Sequence, residues 1–228
     1  MVDRMNRHQK SNSSLVINSK ALDKAYKSLD PEQVKFYEAA FKYPMICCNA
    51  PAGCGKTLVA VLASLELLNE GIINKIYYIR IPDDRSLRLG FLPGTEDEKQ
   101  YIYTAPFYDA CSSLGIQPEM IDNAKIDGTI VTCTDIVMRG MNINKSSVII
   151  DESQNGRLSD LKLILTRLSD NCKCFLLGHA KQYDNFKGEN DHAFERYIEH
   201  LCTQSWAINC KLTKNHRGKI SQWADSLI

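Results

Sequence analysis

The stretch Met45-Ile-Cys-Cys-Asn-Ala-Pro-Ala-Gly-Cys-Gly-Lys-Thr57, with the apolar run from Leu58 to Leu68 that follows it, decides the fold of this chain. The apolar segment predicts a buried strand, and the glycines after it predict a tight loop. The leucines that follow at helical spacing predict a helix. Glycines let successive backbone N–H groups point into one concavity, and the positive end of the helix dipole faces the same point. The stretch therefore predicts a phosphate-binding loop (P-loop).

The loop follows the pattern G-x-x-x-x-G-K-[ST], except that Ala50 occupies the first position. In this pattern Lys56 reaches the β and γ phosphates, and the hydroxyl of Thr57 binds Mg²⁺. The alternative, a glycine turn with a surface lysine, does not account for the flanking strand and helix patterns. We expect contacts to a nucleotide from the whole loop, namely from Ala50, Pro51, Ala52, Gly53, Cys54, Gly55, Lys56 and Thr57.

A second apolar run, Ser147–Ile150, is followed at once by Asp151 and Glu152. A buried strand that ends in two acids is typical of P-loop ATPases, in which a carboxylate binds the metal and a base polarises the attacking water. We expect Asp151 to be a metal ligand and Glu152 to be the general base; the alternative is two acids in a surface loop. Gln182 follows a further strand pattern and is expected to sense the γ-phosphate or to position water.

Upstream of the loop, Asp30-Pro-Glu-Gln33 predicts the start of a helix, with Asp30 as the N-cap and Pro31 in the first turn. Gln33 has two interpretations, which the sequence leaves open. It is either the capping-box residue that bonds back to Asp30, or a glutamine that reads the adenine edge of a nucleotide.

The chain has 228 residues, 44% apolar residues and a net charge of +1. Alternating strand and helix patterns predict an α/β fold, a parallel sheet with helices on both faces. We expect a flexible polar tail over residues 1–20 and a single domain over residues 21–228. The near-neutral charge gives no global reason to expect nucleic acid.

The sequence has no apolar run of membrane-spanning length and no secretory signal pattern, so a cytoplasmic protein without membrane contact is expected. Its nine cysteines lack zinc-site spacing and sit largely in apolar runs. Such cysteines are expected to be reduced and to behave as small apolar side chains.

Four motifs occur in a characteristic order: Pro51–Thr57, Leu89–Gly94 with Lys99, Met138–Gly140 and Ile149–Asn155. With these motifs the chain resembles the PhoH-like family of P-loop ATPases, which is related to the first RecA-like domain of superfamily-one helicases. The resemblance extends from about residue 30 to the end. The family usually has Gly where Ala50 stands, and Asp where His179 stands in a Gly-Asp-x-x-Gln element.

The resemblance implies a RecA-like P-loop NTPase fold, ATP and Mg²⁺ as cofactors, ATP hydrolysis, and homo-oligomeric rings such as a hexamer. It also implies a role in the remodelling of RNA or single-stranded nucleic acid. Phosphoryl transfer needs a cation for the developing charge. Because the chain is too short for a second RecA-like domain, we expect a neighbouring subunit to supply it, with Arg217 as the first candidate and Arg139 as the second.

Two other functions stay open. Thymidine kinases also carry an acidic pair followed by x-Gln, but their Cys-x-x-Cys knuckles and lasso loop are missing from this sequence. A nucleotide-binding interaction protein with weak hydrolysis is the other alternative, and Ala50 and His179 favour it.

Overall fold

A computed structural model describes residue 15 and residues 17–82, 96–133, 142–181 and 193–225, with only the backbone described for residues 96–102, 224 and 225. Within these ranges there are six strands, eight α-helices and a short 3-10 helix at Ser153–Asn155. The strands are β1 Met45–Asn49, β2 Lys75–Arg80, β3 Ile130–Cys133, β4 Ser146–Asp151, β5 Lys173–Gly178 and β6 Ala207–Cys210. The helices are α1 Ser19–Lys27, α2 Pro31–Lys42, α3 Lys56–Asn69, α4 Glu96–Ser113, α5 Pro118–Ile126, α6 Leu158–Leu165, α7 Ala193–Leu201 and α8 Lys219–Asp225.

The six strands form one sheet in the order β3-β2-β4-β5-β1-β6, and every pairing is parallel. Parallel neighbours need long crossovers, which the helices supply, so all strands end at the same edge of the sheet. Strand β5 lies between β1, which leads into the P-loop, and β4, which ends at Asp151. The predicted parallel α/β sheet is confirmed.

Helices cover both faces of the sheet, because alternate strand residues point to opposite sides. In β1, Ile46 and Cys48 belong to the core cluster that α1 to α5 bury. Met45 and Cys47 belong to a second cluster, which α6 and α7 bury. All nine cysteines are free thiols and seven of them are buried, as expected of small apolar side chains.

Two parts of the chain show features that the sequence did not predict. The tail over residues 1–20 stays a prediction, but within that range Leu15 is buried in the core and α1 begins at Ser19 after an Asn18 cap. Helix α5 was not predicted; it buries only Ile121 and Ala124, which is too few apolar positions for a clear periodicity. The segments Leu89–Gly94 and Met138–Gly140 lie outside the described residues.

Candidate functional site

The P-loop turns sharply between β1 and α3. Gly53 and Gly55 have φ of +79° and +80°, which side chains with a Cβ rarely adopt. Gly55 is the N-cap of α3 and provides no side-chain hydrogen bond to the helix. The first N–H groups of α3 are thus left without a side-chain cap at the end of the loop, where the helix dipole is positive. This arrangement suits an anion such as a phosphate.

Lys56 folds back over the loop. Its Nζ donates hydrogen bonds to the carbonyl oxygens of Ala50, at 2.5 Å, and Pro51, at 2.8 Å. The ammonium group is therefore held against the loop, as expected of a loop lysine and unlike a free surface lysine. The N–H of Ala50 in turn donates to the carbonyl of Gly178 at 3.0 Å, which ties the loop to the end of β5.

Asp151, the last residue of β4, contacts the end of the P-loop. It is only 5% exposed, and its Oδ2 accepts hydrogen bonds from Thr57 Oγ1 at 3.0 Å and from the hydroxyl of Tyr78 at 2.8 Å. Its Oδ1 accepts the backbone N–H of Glu152 at 3.0 Å. The structure thus brings together Thr57 and Asp151, the two residues that the sequence nominated as metal ligands.

Tyr78 is a member of this site that sequence reasoning missed. Burial first, and the neighbouring Asp151 carboxylate second, raise the pKa of Tyr78 well above its ordinary value, so its hydroxyl keeps its proton and donates to Asp151. A signal was present, because a tyrosine in a buried strand usually needs a hydrogen-bond partner for its hydroxyl. Which residue that partner is depends on the pairing of β2 with β4.

The donor atoms around Asp151 fit Mg²⁺. This ion prefers oxygen ligands and is commonly held by one or two protein oxygens together with phosphates and water. The hydroxyl of Thr57 and the carboxylate of Asp151 are such oxygens and lie 3.0 Å apart. Within the described ranges no group of three or more His, Cys, Asp or Glu could hold a metal ion. A metal here would therefore need phosphate or water oxygens as its other ligands.

Glu152 follows Asp151 in an unusual backbone conformation, with φ of +54° and ψ of +38°. Such strain in a non-glycine residue is often found at functional sites. The Oε2 of Glu152 accepts a hydrogen bond from Gln154 Nε2 at 2.7 Å, and its Oε1 lies 3.9 Å from Arg80 Nη2. Gln154 Oε1 accepts the backbone N–H of His179 at 3.1 Å. Gln154, a buried residue that the sequence analysis did not nominate, thus connects Glu152 to the end of β5.

Gln33 joins the cap of α2 to the P-loop. The capping box is confirmed: Asp30 Oδ1 accepts the N–H of Gln33 at 2.9 Å, and Gln33 Oε1 accepts the N–H of Asp30 at 3.2 Å. The side-chain amide of Gln33 also donates to the carbonyl of Cys54 at 3.0 Å. Contact of Gln33 with an adenine stays a prediction.

The segment from Thr213 to Arg217 packs against the same loop. The N–H of His216 donates to the carbonyl of Gly53 at 2.9 Å, and His216 Nε2 lies 2.9 Å from Asp30 Oδ2. Nearby, Glu32 Oε2 accepts the N–H of Thr213 at 2.7 Å. Burial acts to raise the pKa of Asp30, but the N–H of Gln33, His216 and the N–H of Glu32 together lower it.

Arg217 lies beside the P-loop of its own chain. Its N–H donates to Asn215 Oδ1 at 2.8 Å, and its Cγ would be 3.1 Å from a Cβ built on Gly53. From the sequence, this arginine was expected to act on a neighbouring subunit; no contact between subunits is present to test that expectation. Two further candidates, Gln182 and Arg139, lie outside the described residues.

None of the described helices combines the length and apolar character that a bilayer crossing requires.

The family model that matches residues 26–226 is described as PhoH-like protein. A PhoH-like protein of Bacillus subtilis (strain 168) is 35% identical over 153 residues, which are 67% of this chain and 48% of that protein. A PhoH-like protein of Mycobacterium bovis (strain ATCC BAA-935 / AF2122/97) is 31% identical over 172 residues, which are 74% of this chain and 49% of that protein. The chain thus spans about half the length of these curated relatives.

Two solved structures share the fold. The large terminase from a thermophilic bacteriophage has a TM-score of 0.57 and 13% identity, over 86% of this chain and 49% of that chain. The DUF1998 helicase MrfA, solved bound to DNA, has a TM-score of 0.51 and 14% identity, over 87% of this chain and 30% of that chain. At such identities these likenesses show the fold alone, and that fold is the RecA-like P-loop NTPase fold.

Replacement of Gly53 by Ala tests the packing of the Thr213–Arg217 segment on the loop. A new methyl group would lie 2.6 Å from Asn215 Oδ1. Gly71→Ala is the matched control, because Gly71 has a similar φ of +68° but nothing within 4 Å of the added atom. We expect Gly53→Ala to lower the free energy of unfolding by about 1–3 kcal/mol more than the control does, as overpacking does. Equal losses in urea denaturation would show that the segment does not press on the loop.

Proposed function

This chain belongs to the PhoH-like protein family, and from that premise we propose that it binds ATP with Mg²⁺ and hydrolyses the γ-phosphate. The observation that carries the proposal is the 3.0 Å hydrogen bond between Thr57 and Asp151. It unites a loop suited to phosphate oxygens with an acid suited to a metal, at one edge of one sheet. Those are the two parts that every P-loop ATPase needs together.

In the proposed complex the triphosphate lies in the concavity from Ala50 to Gly55, at the N-terminus of α3. Lys56 exchanges the carbonyls of Ala50 and Pro51 for β- and γ-phosphate oxygens, a short movement for a flexible side chain. Thr57 and Asp151 hold Mg²⁺, which when bound neutralises charge on the phosphates. Gln33 reads the adenine edge after giving up its bond to Cys54.

Glu152 is proposed as the group that orients the attacking water and accepts its proton. Gln154 and Arg80 support this role, because they contact the two carboxylate oxygens of Glu152 and restrict its rotation. A positioned base contributes typically 10²–10⁴-fold to rate. Gln182, which lies outside the described residues, is proposed to sense the γ-phosphate or to position water.

Arg217 is proposed to supply the cation for the charge that develops in the transition state, and to supply it to the site of its own chain. This differs from the sequence-based expectation of a neighbouring donor. The contact between His216 and Gly53 supports the change, because it anchors the arginine's backbone to the loop that binds the phosphates. The ring-shaped homo-oligomer is proposed on the family resemblance alone, and the cytoplasmic location is proposed on the sequence-based expectation.

Coupling of hydrolysis to RNA or single-stranded nucleic acid is the remaining part of the proposal. It is supported by the fold shared with a helicase whose structure was solved bound to DNA.

Lys56→Ala and Glu152→Gln test the site assignment. We expect Lys56→Ala to abolish hydrolysis and to weaken ATP binding about tenfold or more, because a charge-assisted contact to phosphate is lost. Glu152→Gln should bind ATP normally and slow hydrolysis by at least about 10²-fold, because the amide cannot take a proton. Phosphate release and ATP affinity are measured separately, with the exposed lysine variant Lys42→Ala as control. Hydrolysis at the parent rate in either site variant would refute the assignment.

A mixing experiment decides which subunit's site Arg217 serves. Arg217→Ala should lower the hydrolysis rate by about 10³-fold or more, the range typical of arginine fingers. The variant is then mixed with Lys56→Ala, which retains Arg217 but has no working P-loop. If the arginine acts within its own chain, the mixture shows only the sum of the two residual rates. Recovered activity in the mixture would show donation between subunits.

The nucleic-acid part is tested with ATPase rates measured with and without single-stranded RNA and DNA, at about 50 and about 200 mM salt. We expect stimulation that falls steeply between the two conditions, because phosphate contacts release counterions. Duplex DNA is the control for single-strand preference. An ATPase that no single strand stimulates would remove this part of the proposal and leave hydrolysis standing.

A further inference from the structure

The last part of the chain carries an uneven distribution of charge. Between Glu199 and Asp225 there is no acidic residue, although the whole chain has a net charge of only +1. The same stretch contains four basic residues, namely Lys211, Lys214, Arg217 and Lys219. All four are exposed. Such a local excess of positive charge on an exposed stretch is typical of surfaces that bind nucleic-acid phosphates.

The three lysines of this stretch are available to an external anion. Within the ranges that the structure describes, none of them forms an ion pair. Two acids at the start of α2 touch the stretch, and both are already bonded within it. Glu32 accepts the N–H and the hydroxyl of Thr213, and Asp30 contacts His216. The lysine ammonium groups can therefore bind phosphates without first breaking an ion pair.

Helix α8 adds an aromatic side chain to this surface. Trp223 is 65% exposed, and Ile220, which lies three residues before it on the same side of the helix, is 87% exposed. Exposed aromatic rings next to lysines are the combination by which proteins bind single-stranded nucleic acid. The bases stack on the rings, and the cations contact the backbone phosphates.

Hydrogen bonds of Asn215 hold α8 against the segment that carries the lysines. The side-chain amide of Asn215 donates to Ser221 Oγ at 2.9 Å, and its backbone carbonyl accepts from Gln222 Nε2 at 3.1 Å. Lys214 directly precedes Asn215 in the sequence. Trp223 directly follows Gln222, so the same bonds bring the tryptophan and the lysine to neighbouring positions.

The same asparagine also reaches the nucleotide site. Its Oδ1 accepts the N–H of Arg217 at 2.8 Å and would lie 2.6 Å from a Cβ built on Gly53. The N–H of His216 donates to the carbonyl of Gly53 at 2.9 Å. A ligand that fixes residues 211–223 therefore also fixes the backbone of Arg217 against the P-loop.

We propose that residues 211–223 bind single-stranded nucleic acid, with the three lysines on backbone phosphates and Trp223 stacked on a base. This inference rests on the proposed function, because it names the surface through which a single strand stimulates hydrolysis. The bound strand holds Arg217 at the P-loop and so raises the rate of hydrolysis. A duplex binds this surface less well, because its bases are already stacked on each other.

The stacking contact is tested by the affinity of the full chain for a labelled strand of about 12 thymidines, or of as many uridines, without nucleotide. Trp223→Ala should weaken binding about tenfold, because stacking on one base is lost, and Trp223→Phe should retain most of the affinity. Trp206→Ala is the matched control. Trp206 is the other tryptophan of the chain, is also exposed, and precedes β6, at the edge of the sheet opposite to Lys211. Unchanged binding in Trp223→Ala, or an equal loss in Trp206→Ala, would refute the stacking contact.

Lys214→Gln and Lys219→Gln test the phosphate contacts. Each should weaken binding and lower the slope of log affinity against log salt by about 0.7, the value for one phosphate contact with a single strand. Lys42→Gln is the control, because Lys42 is exposed, pairs with Glu38 and precedes β1, at the opposite edge of the sheet. An unchanged slope in both lysine variants would show that these lysines do not contact phosphates.

The link to hydrolysis is tested with the same strands. In Trp223→Ala the strand concentration for half-maximal stimulation of hydrolysis should rise by the same factor as the dissociation constant. A smaller rise would show that stimulation acts through another surface. If Trp223→Ala alters the oligomeric state in light scattering and keeps its affinity for the strand, the exposed face of α8 binds a second copy of the chain and the inference is refuted.

The outcomes separate this inference from the proposed function. A parent protein that binds no single strand refutes the inference and leaves ATP hydrolysis standing. A parent that binds the strand but does not hydrolyse ATP refutes the proposed function, while the affinities of the variants still decide whether residues 211–223 are the binding surface.

Discussion

The buried carboxylate of Asp151 is the constraint on which the rest of the site depends. A buried charge is costly unless it is hydrogen-bonded. Here the donors come from three different parts of the fold, namely Thr57 at the start of α3, Tyr78 in β2 and the backbone N–H of Glu152. Because each donor belongs to an element fixed by the core, these bonds hold the P-loop and the acid turn at a defined separation. Strand β5 lies between β1, which leads into the P-loop, and β4, which ends at Asp151. His179 directly follows β5.

A second set of contacts holds the P-loop from the outside. The cap of α2 reaches the loop through Gln33 and Cys54, and the segment after β6 reaches it through His216 and Gly53. The start of α2 and the segment after β6 also contact each other, through Asp30 and His216, which are 186 positions apart in the sequence. The family match from residue 26 to residue 226 includes both of these segments. The loop conformation is therefore a property of nearly the whole matched region rather than of its own glycines alone.

Strong local signals were predictable, and long-range contacts were not. The capping box of Asp30 and Gln33 needs only a four-residue pattern, and it formed as the pattern predicts. The hydroxyl of Tyr78 and the amide of Gln154 find partners across strands and turns, so no local pattern names those partners. The burial of Leu15 was not predictable for a similar reason: Leu15 lies in a polar segment, and only the assembled core buries it.

The sequence by itself determined the class of fold, because strand and helix periodicities follow from which residues must leave water, and it located the P-loop and the Asp151–Glu152 pair. The tertiary structure alone decided that Arg217 lies next to its own chain's loop, and that Asn215 joins this loop to α8. The physical reason is distance along the chain. Periodicity reports the environment of each residue, whereas a hydrogen bond between distant residues depends on strand order and register, which arise only when the whole sheet has formed.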